Sequence, residues 1–337
     1  MAMTKVECAG IWVLAEQTNG ILSTTALELL SKALELKKSL GGTEEITAVL
    51  LGYQVGQLAE TLFSYGADQV LLAEHVNLET YKPRPYKKGL VELAHMYKPS
   101  IFLIPSTPLG RDLAPRVMCA LDTGLTADAI DLSFDEDGIF VHTTPAYGGT
   151  ILVNIAIPEK RPQMVTVRPQ VFSPITPIAG KTGEVIREFI SVEDDEAYVI
   201  VDTEEKVNDN TALPAARVVV SGGRGIKSEA DLEMLRQLAK LLGGQVGCSR
   251  PLCDNGWMPH EAQIGQSGVT VKPDLILNVG VSGAGQYTAG MNQSGCVMSI
   301  NYTAEAPIFS TSHYGVVMDY RTVIPALVAE IKQRKGI

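Results

Sequence analysis

The sequence predicts an α/β protein of two domains, each built on a doubly wound, mostly parallel sheet. Three observations predict it. The chain has 337 residues, which is long for one domain. Short branched apolar runs alternate with segments of helical periodicity, as expected of parallel strands joined by crossover helices. An acidic, turn-rich stretch from Ser191 to Pro214 separates two such regions and reads as a linker. The expected boundaries are 1–205 for the first domain, 206–215 for the linker and 216–337 for the second domain, with the break near Asn210.

In the first domain, Ile11 to Ala15 is a short apolar strand. Ser23 to Leu40 carries Leu27, Leu30 and Leu34 at helical spacing and is stopped by Gly41-Gly42. Ile46 to Leu51 is the next strand, Val55 to Tyr65 a helix closed by Gly66, and Val70 to Ala73 a third strand. A helix over Leu90 to Tyr97, a strand over Ile101 to Ile104 and a helix over Asp112 to Leu121 follow. Near Thr126 the pattern changes. LTADAIDLSF, GIFVHTTPAYGG and TILVNIAIP read as successive strands, split by turns at Asp135–Gly138 and Gly148-Gly149. They are expected as antiparallel additions to the same sheet.

The second domain repeats the alternation. Ala216 to Ser221 is a buried strand, Gly222 to Gly225 a loop, and Ser228 to Leu242 a helix with Ser228 as its N-cap. Gln245 to Cys248, Asp274 to Gly280 and Cys296 to Asn301 are strands, and Val316 to Tyr320 leads into a last helix.

Composition excludes several classes. Hydrophobic residues make up 45% and charged residues 20%, which supports a sizeable core in each domain. A net charge of −10 argues against nucleic acid, whose phosphates select basic surfaces. It leaves room for a nucleotide, which needs only local donors. No apolar run reaches the ~20 residues of a membrane span, and MAMTKVECAG lacks the apolar core of a signal peptide. Cys8, Cys119, Cys248, Cys253 and Cys296 form no C-x-x-C pair, so reduced thiols in a cytoplasmic protein are expected. His75, His95, His142, His260 and His313 are scattered, and no metal site is expected.

The chemistry gathers in the last third. SGGRGI, QIGQSG and GVSGAGQ are Gly/Ser-rich loops, two of them directly after strands. Ligands of a parallel sheet bind beyond the carboxyl ends of its strands, where glycines let backbone N–H groups approach phosphates. None of the loops is a G-x-G-x-x-G or a Walker A, and SGGRGI lacks the Lys-Ser/Thr of a kinase or ATPase. No glycine fingerprint is followed by a ribose-binding acid, which disfavours an NAD-dependent dehydrogenase. With no G-x-S-x-G and no acid–base pair, no catalytic side chain is expected.

The runs VVVSGGRGIKS, SRPLCDNGWMPHEAQIGQSG, LILNVGVSGAGQYTAGM and SINYTAEAPIFSTSHYGVVMD closely resemble the α subunit of electron-transfer flavoproteins in order and spacing. GRDLAPR, TGLTAD and RPQMVTVRP extend the resemblance to the first domain, in the forms found in anaerobic bacteria. The resemblance implies a Rossmann-like first domain that packs on a β subunit and a Rossmann- or flavodoxin-like second domain that binds FAD. It places Arg250 over the flavin near N5, where a planar, permanent cation favours reduced flavin. Gln266, Ser267 and Gly268 are implied near the ring. Ser282, Gly283, Ala284 and Gln286 are implied at the ribityl chain and pyrophosphate, and Asn301 and Asp319 at the adenosine half. Asp319 reads equally as a helix N-cap. Arg224 is left between the cofactor and an ion pair. For Arg111, Arg116 and Arg168, ion pairs are the expected role.

The resemblance further implies an electron carrier between flavoenzymes, partnered by an acyl-CoA dehydrogenase and reached by a swing of the second domain about the linker. Some anaerobic relatives bifurcate electrons from NADH to ferredoxin and an acyl-CoA. No cysteine cluster for an iron–sulfur centre is present on this chain. Two departures stand out. Tyr287 replaces the family histidine, which donates to the pyrimidine end of the flavin; at this cofactor-binding position tyrosine can still donate a hydrogen bond but cannot carry a positive charge. Ser299 and Tyr302-Thr303 replace the usual Ala and Lys-Asp. Tyr287 alone favours the rival reading, a nucleotide-binding sensor or scaffold that keeps the fold without the redox role.

Overall fold

The computed structural model describes residues 3, 7–146, 151–202 and 213–336. The chain divides into two compact units, Met1–Pro145 with Leu152–Thr203, and Ala146–Ile151 with Glu204–Ile337.

The first unit opens with β1 (Ala9–Leu14), a two-residue hairpin of β2 (Gln17–Thr18) and β3 (Ile21–Leu22), α1 (Thr24–Ser39) and β4 (Ile46–Gly52). Ser23 caps α1 by accepting from the Ala26 N–H, and Gly41 and Gly42, both at positive φ, stop it. After α2 (Ala59–Ser64) and β5 (Gln69–Glu74) comes α3 (Pro83–Tyr97). This helix starts seven residues before the expected Leu90. Pro83 and Pro85 lie in its first turn, where the missing N–H would be unpaired anyway, so they do not break it. The same physics starts α4 (Pro108–Leu121) at Pro108, four residues before the expected Asp112, with Thr107 as the N-cap after β6 (Pro99–Pro105).

Next come β7 (Leu125–Ala129), β8 (Asp131–Phe134), β9 (Phe140–Ala146), β10 (Ile151–Ala156), β11 (Gln163–Val167) and β12 (Glu184–Glu188). The main sheet has seven strands in the order β12-β5-β4-β1-β6-β11-β7, and every pairing in it is parallel. The expected antiparallel addition to this sheet is corrected: β8, β9 and β10 form a separate three-stranded sheet, and β7 joins the main sheet in parallel. Two strands of this sheet were not foreseen. β11 slots between β6 and β7, and β12 crosses to the opposite edge beside β5. The turn Gly148-Gly149 lies outside the described residues.

The stretch read as a linker begins inside the first unit. Ile190 and Val192 belong to its core, and Asp194 and Asp195 pair with Lys82 and Arg84 at 2.5 and 3.2 Å. Asn210 and most of the 206–215 segment lie outside the described residues. Asp128 collects two of the expected arginine pairs, Arg168 at 2.6 Å and Arg111 at 3.3 Å, while Arg116 pairs with Asp112 at 2.7 Å.

The second unit contains β13 (Val218–Gly222), α5 (Leu232–Leu242), β14 (Gln245–Cys248), α6 (Arg250–Asp254), β15 (Leu275–Val279), α7 (Gly285–Thr288), β16 (Cys296–Asn301), β17 (Tyr314–Val317) and α8 (Tyr320–Lys335). Its sheet is parallel in the order β14-β13-β15-β16-β17. Chain order reverses beside β13, so the crevice between the carboxyl ends of β13 and β15 is the switch point of this sheet. Leu232, Leu235 and Leu238 of α5 pack on one face with Tyr320 and Ile324 of α8. Ile264, Val271, Tyr287 and Ile308 cover the other.

Candidate functional site

Both glycine loops that follow β13 and β15 stand at that switch point, locked together by backbone. The Gly223 N–H donates to Val279 O at 2.9 Å and the Gly225 N–H to Gly280 O at 2.8 Å. A Cβ on Gly223 would lie 2.4 Å from Val281 Cα, and one on Gly225 would lie 2.7 Å from Gly280 Cα. These glycines therefore serve close loop packing first. The third loop joins the same assembly, because the Gln266 N–H donates to Gln286 O at 2.7 Å. Gly283, at φ +89°, leaves no room for a side chain: its Cβ would meet Ile308 N at 2.2 Å.

The assembly leaves donors free. Among the described residues, the backbone N–H groups from Ser282 to Gln286 have no acceptor. A succession of free N–H groups beyond a parallel strand is the donor set that a diphosphate requires. Beside it, a cleft of about 250 Å³ is lined by Arg224, Lys227, Ser282, Asn301, Thr303 and Glu305. Arg224 and Lys227 bring positive charge, and Glu305 can accept from ribose hydroxyls. Gln263 supplies a second sign of a missing partner. It is buried, its Nε2 donates to Ser267 Oγ at 3.0 Å, and its Oε1 has no hydrogen bond among the described residues. A buried acceptor left unpaired costs about 1–3 kcal/mol, so this loop is built to receive a donor. These residues fit FAD.

The expected site residues fall as follows. Gln266, Ser267, Gly268, Ser282, Gly283, Ala284 and Gln286 come together in the three joined loops and reach solvent. Arg250 begins α6, after β14, with a largely exposed side chain 3.4 Å from Asp254. Asn301 ends β16 and is buried; its Nδ2 donates to Val281 O at 2.8 Å and its Oδ1 accepts from the Thr303 N–H at 3.0 Å. Asp319 is exposed and is the N-cap of α8, accepting from the Arg321 N–H at 2.8 Å. His313 Nδ1 accepts from the Val297 N–H at 2.9 Å. Gln263 lay within a loop that the sequence singled out, but only burial reveals its unpaired oxygen.

Tyr287 is a correction. It was expected among the cofactor-binding residues, yet its ring is buried in the core under the loops. The single phenol proton goes to Asn278 Oδ1 at 2.6 Å, and the oxygen accepts from Ser221 Oγ at 2.7 Å. Burial pushes the phenol pKa up, against the Ser221 hydrogen bond, so the group stays neutral. The reason is geometric: Tyr287 lies in the short turn of α7, and its ring faces the sheet rather than the loops.

Comparison with known proteins agrees with this architecture. Residues 11–191 match the electron transfer flavoprotein domain, and residues 212–292 match the electron transfer flavoprotein FAD-binding domain. The chain is 42% identical over 326 residues to "Electron transfer flavoprotein subunit alpha" of Thermoanaerobacterium thermosaccharolyticum, covering 96% of this chain and 98% of that one. It is 40% identical over 339 residues to the protein of the same name from Megasphaera elsdenii, covering 99% and 100%. It is 39% identical over 331 residues to "Protein FixB" of Rhizobium meliloti, covering 96% and 93%. The chain binds FAD and belongs to the electron-transfer flavoprotein family, as an α subunit.

Proposed function

We propose that this chain is the FAD-binding half of a heterodimer with a β subunit, and that it passes electrons from an acyl-CoA dehydrogenase to a second redox partner. The observation that carries the reading is the set of free N–H groups from Ser282 to Gln286 at the switch point, flanked by Arg224 and Lys227. Bound FAD supplies the electron-carrying chemistry. The chain's own residues then bind and tune: the free N–H groups and two cations hold the diphosphate, Asn301 and Asp319 hold the adenosine half, and Arg250 with Gln266 and Ser267 borders the ring. An exposed Arg250 is placed to offer positive charge as the ring gains electrons.

Exposed apolar residues support a protein partner. All six residues of β10 are exposed, Ile151, Leu152, Val153 and Ile155 among them, and Phe189 is 96% exposed. The cytoplasm suits the reading, since all five cysteines are free thiols. Among the described residues no helix is long and apolar enough to cross a membrane. Tyr287, which favoured a sensor or scaffold, is accounted for by its internal hydrogen bonds.

Co-expression with the gene of a β subunit tests the reading, followed by counting FAD and adding NADH. One FAD per heterodimer without NADH reactivity identifies a simple carrier. Two FAD with NADH reactivity identify bifurcation, the finer reading that the likeness to anaerobic forms supports. A chain that purifies alone and colourless would overturn both.

A further inference from the structure

Two thiols meet in the second unit. The sulfurs of Cys248, at the end of β14, and Cys253, on α6, are 3.3 Å apart, and neither is in a disulfide. Helix geometry explains the meeting. Ser249 is the N-cap of α6, so Cys248 precedes the cap and Cys253 is the fourth residue inside. Side chains at those two positions commonly pack together as a staple. Two aliphatic side chains would serve that packing; the thiols add two-electron chemistry to it.

We propose that Cys248 and Cys253 form a reversible intramolecular disulfide when the protein meets a hydroperoxide. The sulfurs need only approach by a little over ~1 Å to bond. Cys253 is 8% exposed and Cys248 is 0% exposed, so Cys253 meets the oxidant. Its sulfur attacks the O–O bond and becomes a sulfenic acid, while its proton leaves with the departing oxygen as an alcohol, or as water from hydrogen peroxide. The Cys248 sulfur then displaces the sulfenic hydroxyl, which takes the Cys248 proton and leaves as water. Two thiols lose two electrons and one O–O bond gains them. Burial raises the pKa of both thiols, which keeps the pair reduced and unreactive toward mild oxidants at rest. The bond closes a short loop that contains Arg250. On the reading that Arg250 borders the flavin, oxidation would clamp a flavin-facing residue; the disulfide itself does not depend on that reading.

The test uses the intact FAD-loaded heterodimer. It is exposed to hydrogen peroxide, denatured in an alkylating reagent, and digested without reduction. The expected result is a loss of two alkylatable thiols from the five and a peptide spanning Cys248 and Cys253 that is two hydrogens lighter, both reversed by dithiothreitol. Cys248→Ser and Cys253→Ser abolish the product, and Cys119→Ser, which removes an exposed thiol, leaves it intact. Retention of all five thiols overturns the proposal, as does a sulfinic acid on Cys253 with Cys248 still alkylatable. A disulfide that forms while the flavin potential stays unchanged upholds the proposal and counts against the placement of Arg250 alone.

Discussion

Tyr287 and Asn278 share a 2.6 Å hydrogen bond in the core of the FAD-binding unit. Asn278 in turn donates from Nδ2 to Ser299 Oγ at 3.3 Å. Ser221, Asn278 and Ser299 are register neighbours on β13, β15 and β16, so they form a buried polar row beneath the loops. The two departures from the family pattern, Tyr287 and Ser299, thus meet on one asparagine. Tyr287→Phe strands the Asn278 oxygen and is expected to cost about 1–3 kcal/mol, read as a lower urea midpoint with an unchanged slope. Tyr287→His, too short to span both partners, should destabilise similarly. A Phe variant as stable as the parent would mean that Asn278 finds another donor.

Gly283 and Gly243 separate two costs that glycines hide. Both have positive φ, but a Cβ on Gly243 meets nothing within 4 Å, whereas one on Gly283 meets Ile308 N at 2.2 Å. Gly243→Ala should lose about 1–2 kcal/mol, the ordinary penalty of that conformation. Gly283→Ala must also displace the backbone of Ile308, so its loss should be larger and accompanied by weaker FAD retention on gel filtration. Equal losses would show that the Ile308 loop yields freely.

How far the site could be read from sequence follows from what carried the information. The three glycine loops were legible because strand periodicity placed two of them at strand ends. Their convergence was not, since Gly223 against Val281 and Gly265 against Gln286 are contacts across the fold. Tyr287 misled because its role depends on which way a four-residue turn faces. The proline-led starts of α3 and α4 were missed because a proline marks a break unless it falls in a first turn. β11 and β12 were missed because their partners, β6 and β5, lie far away in the chain. A separate three-stranded sheet in which β8 and β9 run antiparallel gives the same alternation as an extension of the parallel one.

His142 makes the first unit sensitive to acid. It is fully buried on β9, its Nδ1 lies 2.8 Å from Thr126 Oγ1, and its Nε2 has no partner among the described residues. Burial lowers its pKa from 6.5 to about 4. Between those values the unfolded chain binds a proton that the folded chain does not, so stability is lost as pH falls through this window and is fully present above it. The expected loss between pH 7 and pH 5 is about 2 kcal/mol from this residue. His142→Phe should flatten that part of the pH profile of the urea midpoint. An unchanged slope would assign the acid sensitivity to other groups.

Arg250 can be tested without endangering the fold. Its side chain is 69% exposed and its pairing with Asp254 spans 3.4 Å, so Arg250→Ala should change stability by less than about 0.5 kcal/mol. If the guanidinium borders the flavin, its removal disfavours the electron-rich cofactor, and the reduction potential falls. Arg250→Lys should recover part of the shift, as it keeps the charge and loses the planar fork. A potential equal to the parent's in both variants would remove Arg250 from the flavin.

Asp319 carries two roles that one substitution pair can divide. As the N-cap of α8 it accepts from the Arg321 N–H, and asparagine caps a helix about as well as aspartate. Asp319→Asn should therefore leave the thermal midpoint of the apoprotein unchanged, while Asp319→Ala costs about 1 kcal/mol. A ribose hydroxyl bound by the carboxylate adds a charge-assisted hydrogen bond, and its loss in Asp319→Asn should weaken FAD by about tenfold in a fluorescence titration. The two readouts move separately: the midpoint follows the cap, and the titration follows the charge. FAD affinity unchanged in Asp319→Asn would leave this residue as a helix cap alone, with the adenosine half resting on Asn301 and the cleft around it.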